Sequence, residues 1–227
     1  MTLITQVWND IKNSNLNCRL IIASVLVTSK CKVMHLGHKN GGYRYYTDSK
    51  ILDEVQQEKY LGIIISKDLK ASQQCLQVFA KASRMLGAIN RNIKYKDKYI
   101  LLSLYKSLVR PHLEYCTSAW SPHYVKEKKL LEKVQHRFTR TFPDLRNLAY
   151  LQRLEELKLW SSEDRRTRSD LIEVYKIING ASAVPFNMFF TFSSNTQTMG
   201  HSLKLAKKSK YRLATSLFLR SSNQQLE

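Results

Sequence analysis

Near Asp68 the spacing of apolar residues changes from every second position to every third or fourth, and nothing else in the chain constrains its fold as strongly. Four short runs come first: 20–27, rich in β-branched side chains, then 30–36, 43–46 beyond Gly41-Gly42, and 60–66. Such runs read as strands, with a hairpin joining 30–36 to 43–46 across the glycines. After Asp68 the period is helical. Leu76, Phe79, Ala80, Ala82, Ser83, Leu86 and Ile89 share one face of a helix over 68–91. Ile100, Leu101, Leu104, Tyr105 and Leu108 share one face of a second over 96–109. Pro111 removes an amide donor and restricts Arg110, so this helix is predicted to kink or end there, with a further turn closed by Ser121-Pro122. Three more helices follow at 125–142, 148–159 and 161–179. The last is capped by Ser161 or Ser162, stops at Asn179-Gly180, and is expected to bury Leu171, Val174, Tyr175 and Ile178. The predicted fold class is α+β and mainly α-helical: short antiparallel strands, then a helical bundle.

Charge is distributed as unevenly as periodicity. The 227 residues carry 37 Lys and Arg against 18 Asp and Glu, a net charge of +19, which favours a polyanionic partner through phosphate contacts and counterion release. Residues 81–140 hold fourteen basic and four acidic side chains, whereas 141–180 hold seven of each. Within 125–142, Leu131, Val134, Phe138 and Phe142 fall in one arc at about 100° per residue, and Lys126, Lys129, Lys133, His136, Arg137 and Arg140 fall opposite. A charge run like this is either a solvated face or a binding face; Glu127 and Glu132, the only nearby acids, are too few to offset it. Lys96 and Lys98 extend the basic set towards the preceding helix, and Lys204, Lys207, Lys208, Lys210 and Arg212 form a second cluster in the tail among Phe186, Phe189, Phe190 and Phe192. Those phenylalanines either stack on bases or dock the tail on the helices. The longest apolar run, 20–27, is too short to span a bilayer.

The residues offer little for catalysis. Cys18, Cys31, Cys75 and Cys116 are scattered without a C-x-x-C pair, so reduced intracellular thiols are expected. His35 and His38 lack the partners of a zinc module. Two-metal nucleotidyl transfer needs carboxylates holding ions about 4 Å apart, and the acidic pairs Asp53-Glu54, Glu155-Glu156 and Glu163-Asp164 read as surface or helix-start residues. Cys116 near His112 lacks an orienting carboxylate beyond Glu114. No catalytic residue, metal or cofactor is expected.

The wording of several segments narrows this further. LYKSLVRPHLEYC with LEKVQHR in 96–140, CKVMHLGHKN at 31–40, KYLGIIISKDLKASQQC at 59–75, RRTRSDLIEVYKIING at 165–180 and FFTFSSNTQTMGHSLKL at 189–205 stand in one order along the chain. Together they resemble the part of non-LTR (LINE-type) retrotransposon reverse transcriptases, RNA-directed DNA polymerases of mobile elements, that follows the catalytic aspartates. The resemblance implies a divergent segment at 1–28, the last palm strands at 29–67, a thumb-like helical region at 68–142, a helical extension at 143–180 and a basic, partly irregular tail at 181–227. It implies a primer-grip-like role for Tyr60, Leu61 and Gly62, with Gly62 either approaching a primer or forming a bulge. The expected partners are RNA or an RNA/DNA primer–template held by its backbone, and the rest of an element polymerase, in the nucleus or cytoplasm. The family's paired aspartates have no counterpart here, and magnesium would be needed only by an intact polymerase. The other readings are a host-adopted nucleic-acid-binding or protein-interaction adaptor, with an apolar groove near Pro111, or a decayed element copy.

Overall fold

The computed structural model describes residues 19–22, 31–36, 43–47, 50–182, 185–193 and 205–206. Most of the 20–27 run, residues 37–42 with His38, Cys18, and the tail cations Lys204, Lys207, Lys208, Lys210 and Arg212 lie outside the described residues. The fold is α+β, in two compact units, 1–77 and 78–227.

In the first unit β1 (Arg19–Ile22) pairs antiparallel with β2 (Lys32–His35), in the register Arg19 to His35. On its other side β2 pairs with β5 (Asp53–Glu54), and this pairing is parallel, which corrects the all-antiparallel expectation. Among the described residues the expected pairing of 30–36 with 43–46 does not appear: β3 (Tyr46–Thr47) pairs with β4 (Lys50–Ile51) instead. The reason is that β2 is covered on both sides, with Val33, Met34 and His35 buried in succession as in a central strand. Met34 and Leu36 form a small core with Val55 and Ile65. At the edge of this unit Lys32 Nζ meets Glu58 at 2.7 Å, and that hydrogen bond holds the Glu58 carboxyl below its ordinary value.

The single strand expected at 60–66 is a hairpin. β6 (Gln57–Tyr60) and β7 (Ile63–Ser66) pair with Tyr60 opposite Ile63, leaving Leu61-Gly62 as a two-residue turn. Both turn residues have positive φ, 46° and 86°, the type I′ conformation that matches strand twist. Gly62 is therefore a turn residue rather than a bulge. The hairpin is fixed to the next helix where Ile64 N–H donates to buried Gln74 Oε1 at 2.9 Å.

Helix α1 (Ser72–Asn92) buries Cys75, Val78, Ala82, Leu86 and Ile89, while Leu76 is exposed, so the packed face lies one position from the expected one at its start. In the second unit α2 (Lys98–Leu104) begins at the N-cap Asp97, whose carboxylate accepts Ile100 N–H at 2.9 Å. It does not stop at Pro111. The chain widens into one π-helical turn, Tyr105–Val109, and continues as α3 (Arg110–Glu114), with Pro111 directly after the widened turn. The widening also keeps one face inward. Leu101, Tyr105, Val109 and Leu113 are all buried at a strict spacing of four, which exceeds the 3.6 of an α-helix and would otherwise rotate out of contact.

Cys116, with φ of 51°, turns the chain into the short α4 (Thr117–Trp120), and the Trp120 indole N–H donates back to Tyr115 O at 2.8 Å. Next come α5 (Val125–Thr139), a 3-10 turn at Pro143–Leu145, α6 (Tyr150–Glu156), α7 (Ser162–Ile178) and the short α8 (Phe186–Phe189). The core centres on α5: Tyr105 stacks on Phe138 at 4.1 Å, and Phe138 meets Phe142 edge-on at 5.5 Å. Gln135, fully buried, accepts the Tyr105 hydroxyl at 2.9 Å and donates to Trp160 O at 2.9 Å, so its amide is satisfied inside the core.

The helix ends follow their sequence signals. Ser161 caps α7 by accepting Asp164 N–H at 3.0 Å. At its other end Gly180, with φ of 67°, completes a Schellman motif in which Ala181 N–H reaches Lys176 O at 2.8 Å. A second such motif ends α6 with Lys158, at φ 48°, in the glycine position. In the tail the phenylalanines pack on one another, Phe186 on Phe192 at 4.4 Å and on Phe190 at 5.9 Å.

Candidate nucleic-acid interface

Helix α5 exists because its apolar residues recur at helical spacing, and Leu131, Val134 and Phe138 are at most 1% exposed. Burying that face forces the other outward. Lys126, Lys129, Lys133, Arg137 and Arg140 are all exposed, and with Leu130, Glu132 and His136 they line one open concavity of about 680 Å³. Among the described residues none of these five cations forms an ion pair.

The two acids of α5 do not neutralise the stripe. Glu127 is buried. Glu132 lines the concavity, but its carboxylate accepts the Tyr150 hydroxyl and the Ser162 backbone N–H, the latter at 3.0 Å, which draws it onto the start of α7. The remaining α5 lysine, Lys128, lies off the stripe and pairs with Glu163 at 3.0 Å.

His136 belongs to the stripe by position but not by charge. Its ring stacks on Tyr150 at 3.6 Å, and burial followed by the nearby cations Arg153 and Arg140 holds its pKa below the ordinary value of 6.5, so the imidazole is neutral at neutral pH. Arg153 was invisible to sequence reasoning, since α6 carries both charge signs. It is 3% exposed, places Nη2 3.5 Å from His136 Nδ1 and lies over the Tyr150 ring at 5.6 Å. Its positive charge therefore stands directly behind the stripe.

Other expected residues go elsewhere. Lys96 and Lys98 are exposed before and at the first turn of α2 and do not line the concavity. Tyr60, Leu61 and Gly62 form the β6–β7 hairpin tip, with Leu61 57% exposed. Arg165, a candidate for phosphate contact, is turned inward: it bonds Glu114, Trp160 O and Gln135 Oε1, the last at 2.7 Å. Arg166 is buried, and Arg168 lies over Trp160 at 5.5 Å. The concavity at Pro111 is lined by Lys106, Arg110, Pro111, Glu114 and Tyr115, and an Arg110–Glu114 ion pair at 3.0 Å lies at it.

No three His, Cys, Asp or Glu side chains converge as metal ligands among the described residues. Asp53 and Glu54 lie exposed on β5, Glu155 and Glu156 are exposed on α6, and Glu163 and Asp164 are committed to Lys128 and to the α7 cap. His35 is buried beside Tyr45, with ring centroids 6.0 Å apart. Cys116 and His112 do not share a helix, and burial raises the Cys116 thiol, which opposes nucleophilic use. No described helix is long and apolar enough to cross a membrane. Comparisons with family models, curated proteins and solved structures return no match.

Proposed function

We propose that this chain is a piece of a non-LTR retrotransposon reverse transcriptase, without the catalytic aspartates, that holds RNA or an RNA/DNA duplex by its backbone through the outer face of α5. One observation carries the reading: Lys126, Lys129, Lys133, Arg137 and Arg140 are exposed on one face, and no described acid pairs with them. From Lys126 to Arg140 the stripe extends about 21 Å at 1.5 Å per residue, long enough to meet several phosphates of a duplex. Cations at this spacing recognise a line of charge and are indifferent to base identity. Lys96 and Lys98 add charge earlier in the chain, and the exposed β6–β7 hairpin suits the primer-grip-like role that the sequence resemblance suggests.

Binding of this kind releases counterions, so affinity should fall steeply with salt. The test is an electrophoretic shift titration of an RNA/DNA duplex over a salt series, comparing wild type with Lys129, Lys133, Arg137 and Arg140 all changed to Glu. The variant is expected to lose at least about a hundredfold in affinity at low salt, with a shallower salt slope by about 0.9 for each lost contact. Equal affinities and slopes would overturn the reading. Template-dependent nucleotide incorporation by the purified chain would overturn its non-catalytic half.

A further inference from the structure

The corner between α1 and α2 carries two open rings that duplex binding does not use. Tyr95 and Tyr99 are 78% and 82% exposed, more open than any other large hydrophobic side chain among the described residues. Lys94, Lys96 and Lys98 alternate with them, all exposed and none in an ion pair among the described residues. The one acid in the segment, Asp97, is spent locally as the α2 cap, its carboxylate on the Ile100 amide at 2.9 Å.

Two open rings within five residues leave large apolar faces in water, and the flanking charge says what would cover them. An unpaired nucleotide strand presents flat bases and phosphates in alternation, whereas a duplex hides its bases and presents phosphates alone. An acidic peptide satisfies the lysines but supplies no regular series of flat rings. We infer that residues 94–99 are a docking site for single-stranded RNA or DNA, with Tyr95 and Tyr99 each stacking on a base and Lys94, Lys96 and Lys98 contacting the flanking phosphates. The site shares Lys96 and Lys98 with the duplex reading but depends on neither α5 nor a duplex, so the two stand or fall separately.

The test uses the full chain and three variants: Tyr95→Ala with Tyr99→Ala, Tyr95→Phe with Tyr99→Phe, and the α5 charge reversal. Fluorescence anisotropy is read with a labelled oligouridylate and with a blunt duplex at one salt concentration. The alanine pair is expected to weaken oligouridylate binding by about tenfold or more, and duplex binding by less than about twofold. The phenylalanine pair, which keeps the rings, should bind as wild type does. Wild-type tyrosine fluorescence should be quenched by oligouridylate, and less so in the alanine pair. Three results would overturn the inference: no oligouridylate binding by wild type, an equal loss on both probes in the alanine pair, or displacement of oligouridylate by polyglutamate at matched charge. An α5 variant that loses duplex binding but keeps tyrosine-dependent oligouridylate binding would separate the two surfaces.

Discussion

Helices α5 and α7 carry similar numbers of charged residues and dispose of them in opposite ways. α5 buries Leu131, Val134 and Phe138 and leaves its stripe cations in water. α7 turns Ser162, Arg166 and Asp170 inward and leaves Leu171, Ile172 and Tyr175 exposed at 48%, 43% and 67%. Its cations are all engaged: Arg165 with Glu114 and Gln135, Arg166 by burial, Arg168 with Trp160, and Lys176 with Glu173 at 3.5 Å. The presence of several basic residues on a helix is thus poor evidence of a binding face on its own. What matters is whether the nearest acids are committed elsewhere, as Glu132 is to Tyr150 and Ser162.

The contrast is broken most directly by matched leucine truncations. Leu131→Ala on α5, at 0% exposure, is expected to lower unfolding stability by about 2–5 kcal/mol through lost burial and the cavity left behind. Leu171→Ala on α7 should change it by less than about 0.5 kcal/mol, because that side chain is half in water. Urea unfolding of the two variants decides the matter; comparable losses would mean that the outer face of α7 is packed after all.

Matched cation truncations sharpen the same contrast from the other side. Arg165→Ala removes the donor shared by Glu114, Gln135 and the Trp160 carbonyl, and should destabilise the second unit by about 2–3 kcal/mol. Lys133→Ala should leave stability within about 0.5 kcal/mol and act only on duplex affinity. A Lys133→Ala variant that unfolds easily but binds duplex normally would reverse the assignment of roles.

Legibility in the sequence followed the range of the interaction concerned. The α5 faces, the Ser161 cap and the Gly180 stop were readable because each depends on residues within a turn or two. The buried polar face of α7 was not, since its partner Glu114 lies 51 residues before Arg165 and the visible apolar set Leu171, Val174, Tyr175 and Ile178 pointed the other way. Around Pro111 the sequence marked the disturbance but not its form. The clue to the π turn was the spacing of Leu101, Tyr105, Val109 and Leu113 by four, which a fixed period of 3.6 passes over. The 60–66 hairpin was concealed because leucine, not the usual asparagine or aspartate, occupies its first positive-φ turn position. The parallel β2–β5 pair joins residues 21 apart through a short polar dipeptide that carries no strand pattern of its own.

The smallest effect expected is also the one that links the stripe to the helix behind it. Of the residues lining the α5 concavity, His136 is the one stacked on α6, and it faces Tyr150 and Arg153 from α6 and Arg140 and Glu132 from its own side. Burial and the two arginines outweigh Glu132 and hold the folded pKa below 6.5, so the unfolded chain takes up the proton first as pH falls. The stabilising contribution is therefore full above about pH 6.5 and is lost as pH falls through the folded value. Wild type should lose more urea resistance than His136→Phe between pH 7.5 and pH 5.5, because phenylalanine keeps the ring contact without the titration. Phosphates lying on the stripe would add negative charge beside the imidazole and raise its pKa, so duplex binding should strengthen on acidification over the same interval, and less so in His136→Phe. If wild type and His136→Phe showed the same pH dependence in both measurements, His136 would be uncoupled from its arginine neighbours and from anything bound to the α5 face.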